Sequence, residues 1–329
     1  MSPVLSMLIA IVVLLVGFVL LIKGADIFVE GSSTIAKMLR VPPMVIGLTV
    51  VAMGTSLPEL AVSITASISN SNSLAVSNVS GSNLFNLLVV LGFSALLVPL
   101  VVDKNTLKTD FPISMICALI LLIFGWTGGG VERWEGGILL ALFVVYIIYT
   151  VRRALKSRAE NKAEEGEKKT SIVKSLIFVA LGIVMIKFGG DMVVGGTITI
   201  NGLDIEYGAT AIARALGMSE TLIGLTIVAL GTSLPEFVTS IVAAKKGQVD
   251  MAVGNVIGSN IFNILLILGM AAAISPVTFI TENAIDIAIL VAASALVYLF
   301  AWSKEKIVRW EGALMILGYA GFMVYAIVR

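Results

Sequence analysis

The sequence predicts an all-α membrane protein of ten transmembrane helices in two inverted five-helix repeats. Three observations carry this. Of 329 residues, 58% are hydrophobic and only 13% charged, against about 45–50% and about 25% in soluble chains. Mean hydropathy is +1.04. Two long polar motifs occur twice, at a constant offset of 177 residues. The composition excludes a soluble enzyme and a disordered chain, and a net charge of +1 gives no basic field for nucleic acid. The partner it implies is the lipid bilayer, and no obligatory protein partner is evident. Cys117 is the only cysteine and histidine is absent, which removes disulfides, thiolate metal clusters and imidazole chemistry.

A hydrocarbon core of about 30 Å needs about 20 apolar residues in a helix. Ten such stretches are present, near 4–36, 43–70, 73–98, 110–127, 134–155, 170–197, 220–245, 248–275, 283–302 and 309–328. The first is long enough to tilt, and with no Lys or Arg before Lys23 it reads as a retained helix rather than a signal peptide. With the N-terminus outside and strict alternation, seventeen Lys and Arg fall on inner segments and three on outer ones, so the positive-inside rule fixes the orientation. The Lys/Glu-rich stretch 153–170 becomes a cytoplasmic linker between a first repeat, 1–152, and a second, 171–329. The membrane expected is the plasma membrane.

Residues 46–59 match 223–236 at twelve of fourteen positions, and 76–86 match 253–263 at eight of eleven. Arg133-Trp134-Glu135-Gly136 recurs as Arg309-Trp310-Glu311-Gly312, and Asp26 corresponds to Asp191. Five spans per copy return the second copy to the membrane upside down. That is the inverted-repeat plan of secondary transporters, with sites at the midplane where broken helices meet. Twelve extra residues near 197–208 in the second copy alternate around Asn201-Gly202, the signal of an outer hairpin with a type I′ turn.

The chemistry lies in the duplicated segments. Pro58 and Pro235 each remove a backbone donor. Pro58 should free the carbonyl of Gly54 and loosen those of Ala52 and Thr55. Glu59 is the only charged residue between Arg40 and Asp103 and falls near mid-span, with Glu236 as its inverted counterpart. A charge there costs about 2.5–3.5 kcal/mol even on the most lenient scale, and no Lys or Arg in these spans offsets it. A bound cation or a proton must do so. Two carboxylates with carbonyls and hydroxyls form an all-oxygen site suited to hard cations such as Ca²⁺ and Na⁺. Ser82 with Asn86, and Ser259 with Asn263, each share a helical face. Asn78, Asn83, Asn255 and Asn260 fit interhelical hydrogen bonding better, and Gly81 and Gly92 close helix contact. Asp26, Glu30 and Asp191 lie near helix ends, where solvation or capping suits them. An intramembrane serine protease at Ser56 lacks an activating histidine, and an aspartyl protease lacks its paired mid-span Asp residues.

The paired GTSLPE and GSNxFN segments resemble the two α-repeats of the cation/calcium antiporter superfamily, most closely the prokaryotic sodium/calcium exchangers. The resemblance covers essentially the whole chain. It implies exchange of Na⁺ for Ca²⁺ by alternating access, with the first and sixth helices sliding across the rest, and no cofactor beyond the transported ions. By position it places a calcium site on Glu59, Glu236 and the carbonyls of Thr55 and Thr232. It places sodium sites on Ser56, Ser82 and the Ala52 carbonyl, and on Ser233, Ser259 and the Ala229 carbonyl, with Asn86 and Asn263 lining the middle. The second motif lacks the Glu typical of proton-coupled relatives, which favours Na⁺ over the alternative, Ca²⁺/H⁺ exchange.

Overall fold

In the computed structural model, residues 3–68, 72–160, 171–200, 203–217 and 229–328 are described. Among them, eight helices are long and apolar enough to cross a membrane. A ninth span is broken, with Pro43–Thr55 and Leu57–Ile68 meeting at 49°. The inverted counterpart of that broken span, expected at 220–245, is described from Ala229 onward, as Ala229–Gly231 and Leu234–Lys245; its start lies outside the described residues.

The polar spans are the core and the apolar spans are the rim. In the spans Ala75–Leu97 and Val249–Ile274, which carry the duplicated asparagines, 83% and 78% of the apolar window is buried; in Leu5–Leu39, Arg133–Ser157 and Arg309–Val328 the figure is 17%. The side chains of Leu8, Leu15 and Val19 on the first helix are more than half exposed. This is the arrangement lipid demands, because apolar side chains are at home facing hydrocarbon while hydroxyls and amides are not.

The first helix, Pro3–Leu39, packs antiparallel against Ile172–Val194. Gly17, Gly24 and Gly31 meet Gly189, Gly182 and Ser175 in reverse order. A Cβ added at Gly24 would lie 2.7 Å from the Met185 Cβ and 3.1 Å from the Gly182 carbonyl oxygen. The seven-residue spacing of the glycines lets the two backbones touch along their length.

Among the described residues, three short antiparallel ladders close the helix ends. β1 (Leu100–Val101) pairs with β6 (Lys306–Ile307), and β2 (Gly130–Val131) pairs with β5 (Val277–Thr278). The repeat offset carries β1 onto β5 and β6 onto β2, so the two ladders are the same contact seen from the two repeats. Leu100↔Ile307 corresponds to Val277↔Val131. The first ladder ties the ends of the third and ninth expected spans, the second those of the fourth and eighth, as strict alternation requires. β3 (Gly196–Ile200) and β4 (Leu203–Tyr207) form the expected hairpin; its turn, Asn201-Gly202, lies outside the described residues.

The Arg-Trp-Glu-Gly repeat proves to be a helix start. Glu135 accepts the Glu132 N–H at 2.8 Å, and Glu311 accepts the Val308 N–H at 2.9 Å, each capping the helix it opens. The glycine that follows allows close approach, with a Cβ at Gly312 falling 2.5 Å from the Gly92 carbonyl. Gly92 thus meets its expected role. Gly81 does not, since a Cβ there would meet nothing within 4 Å, whereas one at its counterpart Gly258 would lie 2.8 Å from the Ala52 Cβ.

One boundary moves. The expected linker begins at 153, but the helix Arg133–Glu160 runs on through its first eight residues. Arg153 anchors the first residue of that extension, because it holds buried Asp110 through both carboxylate oxygens, at 3.1 and 2.8 Å. Residues 161–170 lie outside the described set.

Candidate functional site

Each duplicated motif ends one helix and starts another. Ser56 is the non-helical residue between Ala52–Thr55 and Leu57–Ile68. Pro58, with no N–H, leaves the Gly54 carbonyl without its usual helical donor. Glu59 falls in the first turn of Leu57–Ile68, and Glu236 in the first turn of Leu234–Lys245, where the positive end of a helix dipole favours a carboxylate. Both are fully buried, and each accepts a hydrogen bond from the serine three residues before the other. Among the described residues no Lys or Arg pairs with either.

Hydrogen bonds knit the two repeats together at this point. The Ser56 hydroxyl donates to Glu236 Oε1 at 2.7 Å, and the Ser233 hydroxyl donates to Glu59 Oε1 at 3.0 Å. Ser233 also bonds the Ser82 hydroxyl at 3.0 Å, while Ser259 reaches Glu236 Oε1 at 3.5 Å. The Thr55 hydroxyl is held by the Val51 carbonyl at 3.1 Å and by Asn255 Oδ1 at 3.2 Å. The resemblance implies that Ser56 groups with Ser82 and Ser233 with Ser259. The hydrogen bonds group them the other way, each motif serine with the carboxylate of the opposite repeat, because the two breaks cross antiparallel and each turn preceding a glutamate faces its inverted copy.

The carbonyls differ between the halves. The Ala52 oxygen, expected to be loosened, accepts the Ser56 N–H at 3.0 Å and the Thr55 hydroxyl at 3.3 Å. The helical turn closes before the proline can open it. The Ser233 N–H instead takes Leu230, at 3.2 Å, rather than Ala229.

Asn78 and Asn255 hold the carboxylate-bearing turns, donating to the Glu59 and Glu236 carbonyl oxygens at 3.3 and 3.4 Å. Asn86 and Asn263 open π-helical turns, Asn86–Val90 and Asn263–Leu268, inside their spans; such turns recur at functional sites. Asp26 and Asp191 pair with Lys246 and Lys187 rather than with the motif side chains.

Among the described residues, four buried side-chain oxygens of this region find no hydrogen-bond partner: Oε2 of Glu59 and of Glu236, and Oδ1 of Asn86 and of Asn263. They form two pairs related by the repeat. Among the described residues no three Asp, Glu, His or Cys gather around a metal, so any ion here is held by two carboxylates and neutral oxygens. That donor set suits a hard cation, and with neither a cation nor a proton bound the carboxylates would stay buried and unsatisfied. A cavity of about 320 Å³ on the hairpin side is lined by Thr232, Pro235, Pro58, Asp191 and Tyr207. The cavity at the opposite end, about 360 Å³, stops at Val29, Glu30 and Ser33 and touches none of the site residues.

The family model for sodium/calcium exchanger proteins matches residues 9–152 and 174–328, one block per repeat. The chain is 37% identical to a putative antiporter, CaxA, of Alkalimonas amylolytica, over 96% of this chain and 98% of the relative. It is 35% identical to the sodium/calcium exchanger MaX1 of Methanosarcina acetivorans, over 95% and 97%. Among solved structures it is similar to the sodium-calcium exchanger NCX_Mj soaked with Na⁺ and Sr²⁺, at 35% identity and a TM-score of 0.81, covering 98% of each chain.

Proposed function

From the premise that the chain belongs to the sodium/calcium exchanger family, we propose that Glu59 and Glu236 are the shared seat over which the two ions compete. The protein is a membrane antiporter that exchanges Na⁺ for Ca²⁺. The single observation that carries the site is the set of four orphaned buried oxygens, Oε2 of both glutamates and Oδ1 of Asn86 and Asn263. One Ca²⁺ between the carboxylates cancels both charges and accepts all four oxygens. Na⁺ ions cancel the same charges from the flanks, where Ser82 and Ser233 stand beside Glu59, and Ser56 and Ser259 beside Glu236.

Exchange follows from electrostatics. An empty site carries two like charges through a low-dielectric barrier and moves only at high cost. A loaded site is neutral or nearly so, and can switch between two packings of comparable energy. Leak is suppressed because no cheap empty state exists. The first helix and Ile172–Val194, seamed along their glycines, lie over both breaks; a Cβ at Gly54 would touch Phe28 and Ile183, and one at Gly231 would touch Val194. A shift of this pair would cover one break as it uncovers the other. The cavity that reaches Thr232 supports a conformation open toward the hairpin. We place that side, and the N-terminus, outside, on the Lys and Arg distribution.

Crystals soaked in Ca²⁺ test the reading. Anomalous density should appear between Glu59 and Glu236 and fade on soaking in Na⁺. Density confined to Asp191, or to any surface carboxylate, would contradict it.

A further inference from the structure

Asn83 and Asn260 sit at the crossing of the two most buried spans, and both are about 1% exposed. Their amides are tied reciprocally. Asn83 Nδ2 donates to the Asn260 backbone carbonyl at 3.1 Å, and Asn260 Nδ2 donates to the Asn83 carbonyl at 3.2 Å. Each amide oxygen then faces away from that bond and accepts a second one. Asn83 Oδ1 accepts from Asn263 Nδ2 at 2.9 Å, and Asn260 Oδ1 accepts from Asn86 Nδ2 at 3.2 Å. Four asparagines from two repeats thus form one closed set in which every amide nitrogen is engaged. The two oxygens left over belong to Asn86 and Asn263.

An asparagine amide has an acceptor end and a donor end of nearly equal size. In a cation site the distinction decides the sign of the interaction, because an inward oxygen coordinates and an inward NH₂ repels. Nothing in the shape of Asn86 or Asn263 selects between the two. The hydrogen bonds do, since Asn83 and Asn260 offer only an acceptor to the outer end of each amide. We infer that Asn83 and Asn260 are positioning residues, which lock the amides of Asn263 and Asn86 oxygen-inward and so preset the site for a cation before one arrives. The locks are crossed, with Asn83 of the first repeat setting Asn263 of the second and Asn260 setting Asn86. The inference rests on the ion-site reading above. It predicts which pairs of residues are coupled, which that reading does not.

The test is a double-mutant cycle on the full-length protein in proteoliposomes, reading the half-saturating Ca²⁺ concentration and the maximal rate of Na⁺-driven ⁴⁵Ca²⁺ uptake. N83A should raise the half-saturating Ca²⁺ about tenfold, the order of one lost interaction with a charged partner, with the maximal rate scaling only with the amount of folded protein. In an N263A background, N83A should change the half-saturating concentration no further. In an N86A background its full effect should persist, because Asn86 is set by Asn260. A merely structural role for Asn83 would lower the maximal rate and leave half-saturation unmoved. Additive effects of N83A and N263A would overturn the lock, as would loss of the N83A effect in the N86A background. If N83A does not fold, the N260A and N86A pair makes the same test from the other side of the pseudo-twofold axis. Should N263A and N86A alone leave half-saturation unchanged, the ion-site reading fails, which is distinct from failure of the lock.

Discussion

Glu236→Gln and Glu59→Gln remove one charge each while keeping nearly the same shape. Ca²⁺–oxygen contacts run at about 2.4 Å, so at an effective dielectric constant of about 20 one carboxylate supplies gross attraction on the order of 14 kcal/mol to a divalent ion. Desolvation cancels much of this. If a third survives, the net loss exceeds about 4 kcal/mol, or about 10³-fold in affinity. The hydrogen bonds make the substitution worse than neutral. The Ser56 hydroxyl donates to Glu236 Oε1, so in Glu236→Gln the amide oxygen would take that place. The amide NH₂ would then occupy the position of the orphaned Oε2, facing the cation. Ser233 imposes the same choice at position 59. Na⁺-loaded proteoliposomes carrying either variant should therefore show no ⁴⁵Ca²⁺ uptake above protein-free vesicles. The purified variants should melt at the wild-type temperature or higher, since an uncompensated buried charge has been removed. Uptake with a half-saturating Ca²⁺ within tenfold of wild type would refute the reasoning.

Three further outcomes follow from other contacts. Ser56→Ala and Ser233→Ala each delete a hydroxyl bonded to a carboxylate of the opposite repeat; each should weaken ion binding by about 1.5–3 kcal/mol, with the Na⁺ dependence of exchange shifted to higher concentration, and unchanged Na⁺ curves would argue that the hydroxyls do not reach the ions. Arg153→Ala leaves Asp110 buried and without its ion-pair partner, since Arg153 Nη1 donates to both of its oxygens; the loss should be about 3–5 kcal/mol, visible as a lowered melting temperature, and Asp110→Asn in the same chain should recover much of it. Gly24→Leu forces a side chain into the Met185 and Gly182 contact; overpacking should cost about 1–3 kcal/mol and reduce the exchange rate, and a wild-type rate would show that the two long helices need not stay seamed.

The repeats, the site carboxylates and the hairpin are legible in the sequence because each violates a local expectation: polar duplication inside hydrocarbon, glutamates without basic partners, an alternating Asn-Gly stretch between helices. What stays hidden depends on how two elements meet. Helical spacing tells which residues share a face, and so places Ser82 with Asn86, but it cannot tell which of two inverted helices that face addresses; hence Ser233, rather than Ser56, meets Ser82. Pro58 leads one to expect an open Ala52 carbonyl, yet the turn closes through the Ser56 N–H, one residue short of the break. The glycine seam carries a readable signal, Gly17, Gly24 and Gly31 against Gly182 and Gly189 at intervals of seven, which a search for apolar spans passes over. The role of Arg-Trp-Glu-Gly is visible as duplication and becomes intelligible only because Glu135 and Glu311 cap their own helices.

Uptake of ⁴⁵Ca²⁺ into proteoliposomes, driven by an outward Na⁺ gradient with pH equal on both sides and clamped by a protonophore, probes the account at its centre. Accumulation that rises with the Na⁺ gradient and collapses when internal Na⁺ is replaced by choline is the predicted result. Accumulation that ignores Na⁺ and follows an imposed pH gradient instead would mean that protons, rather than sodium, share the Glu59 and Glu236 seat with calcium.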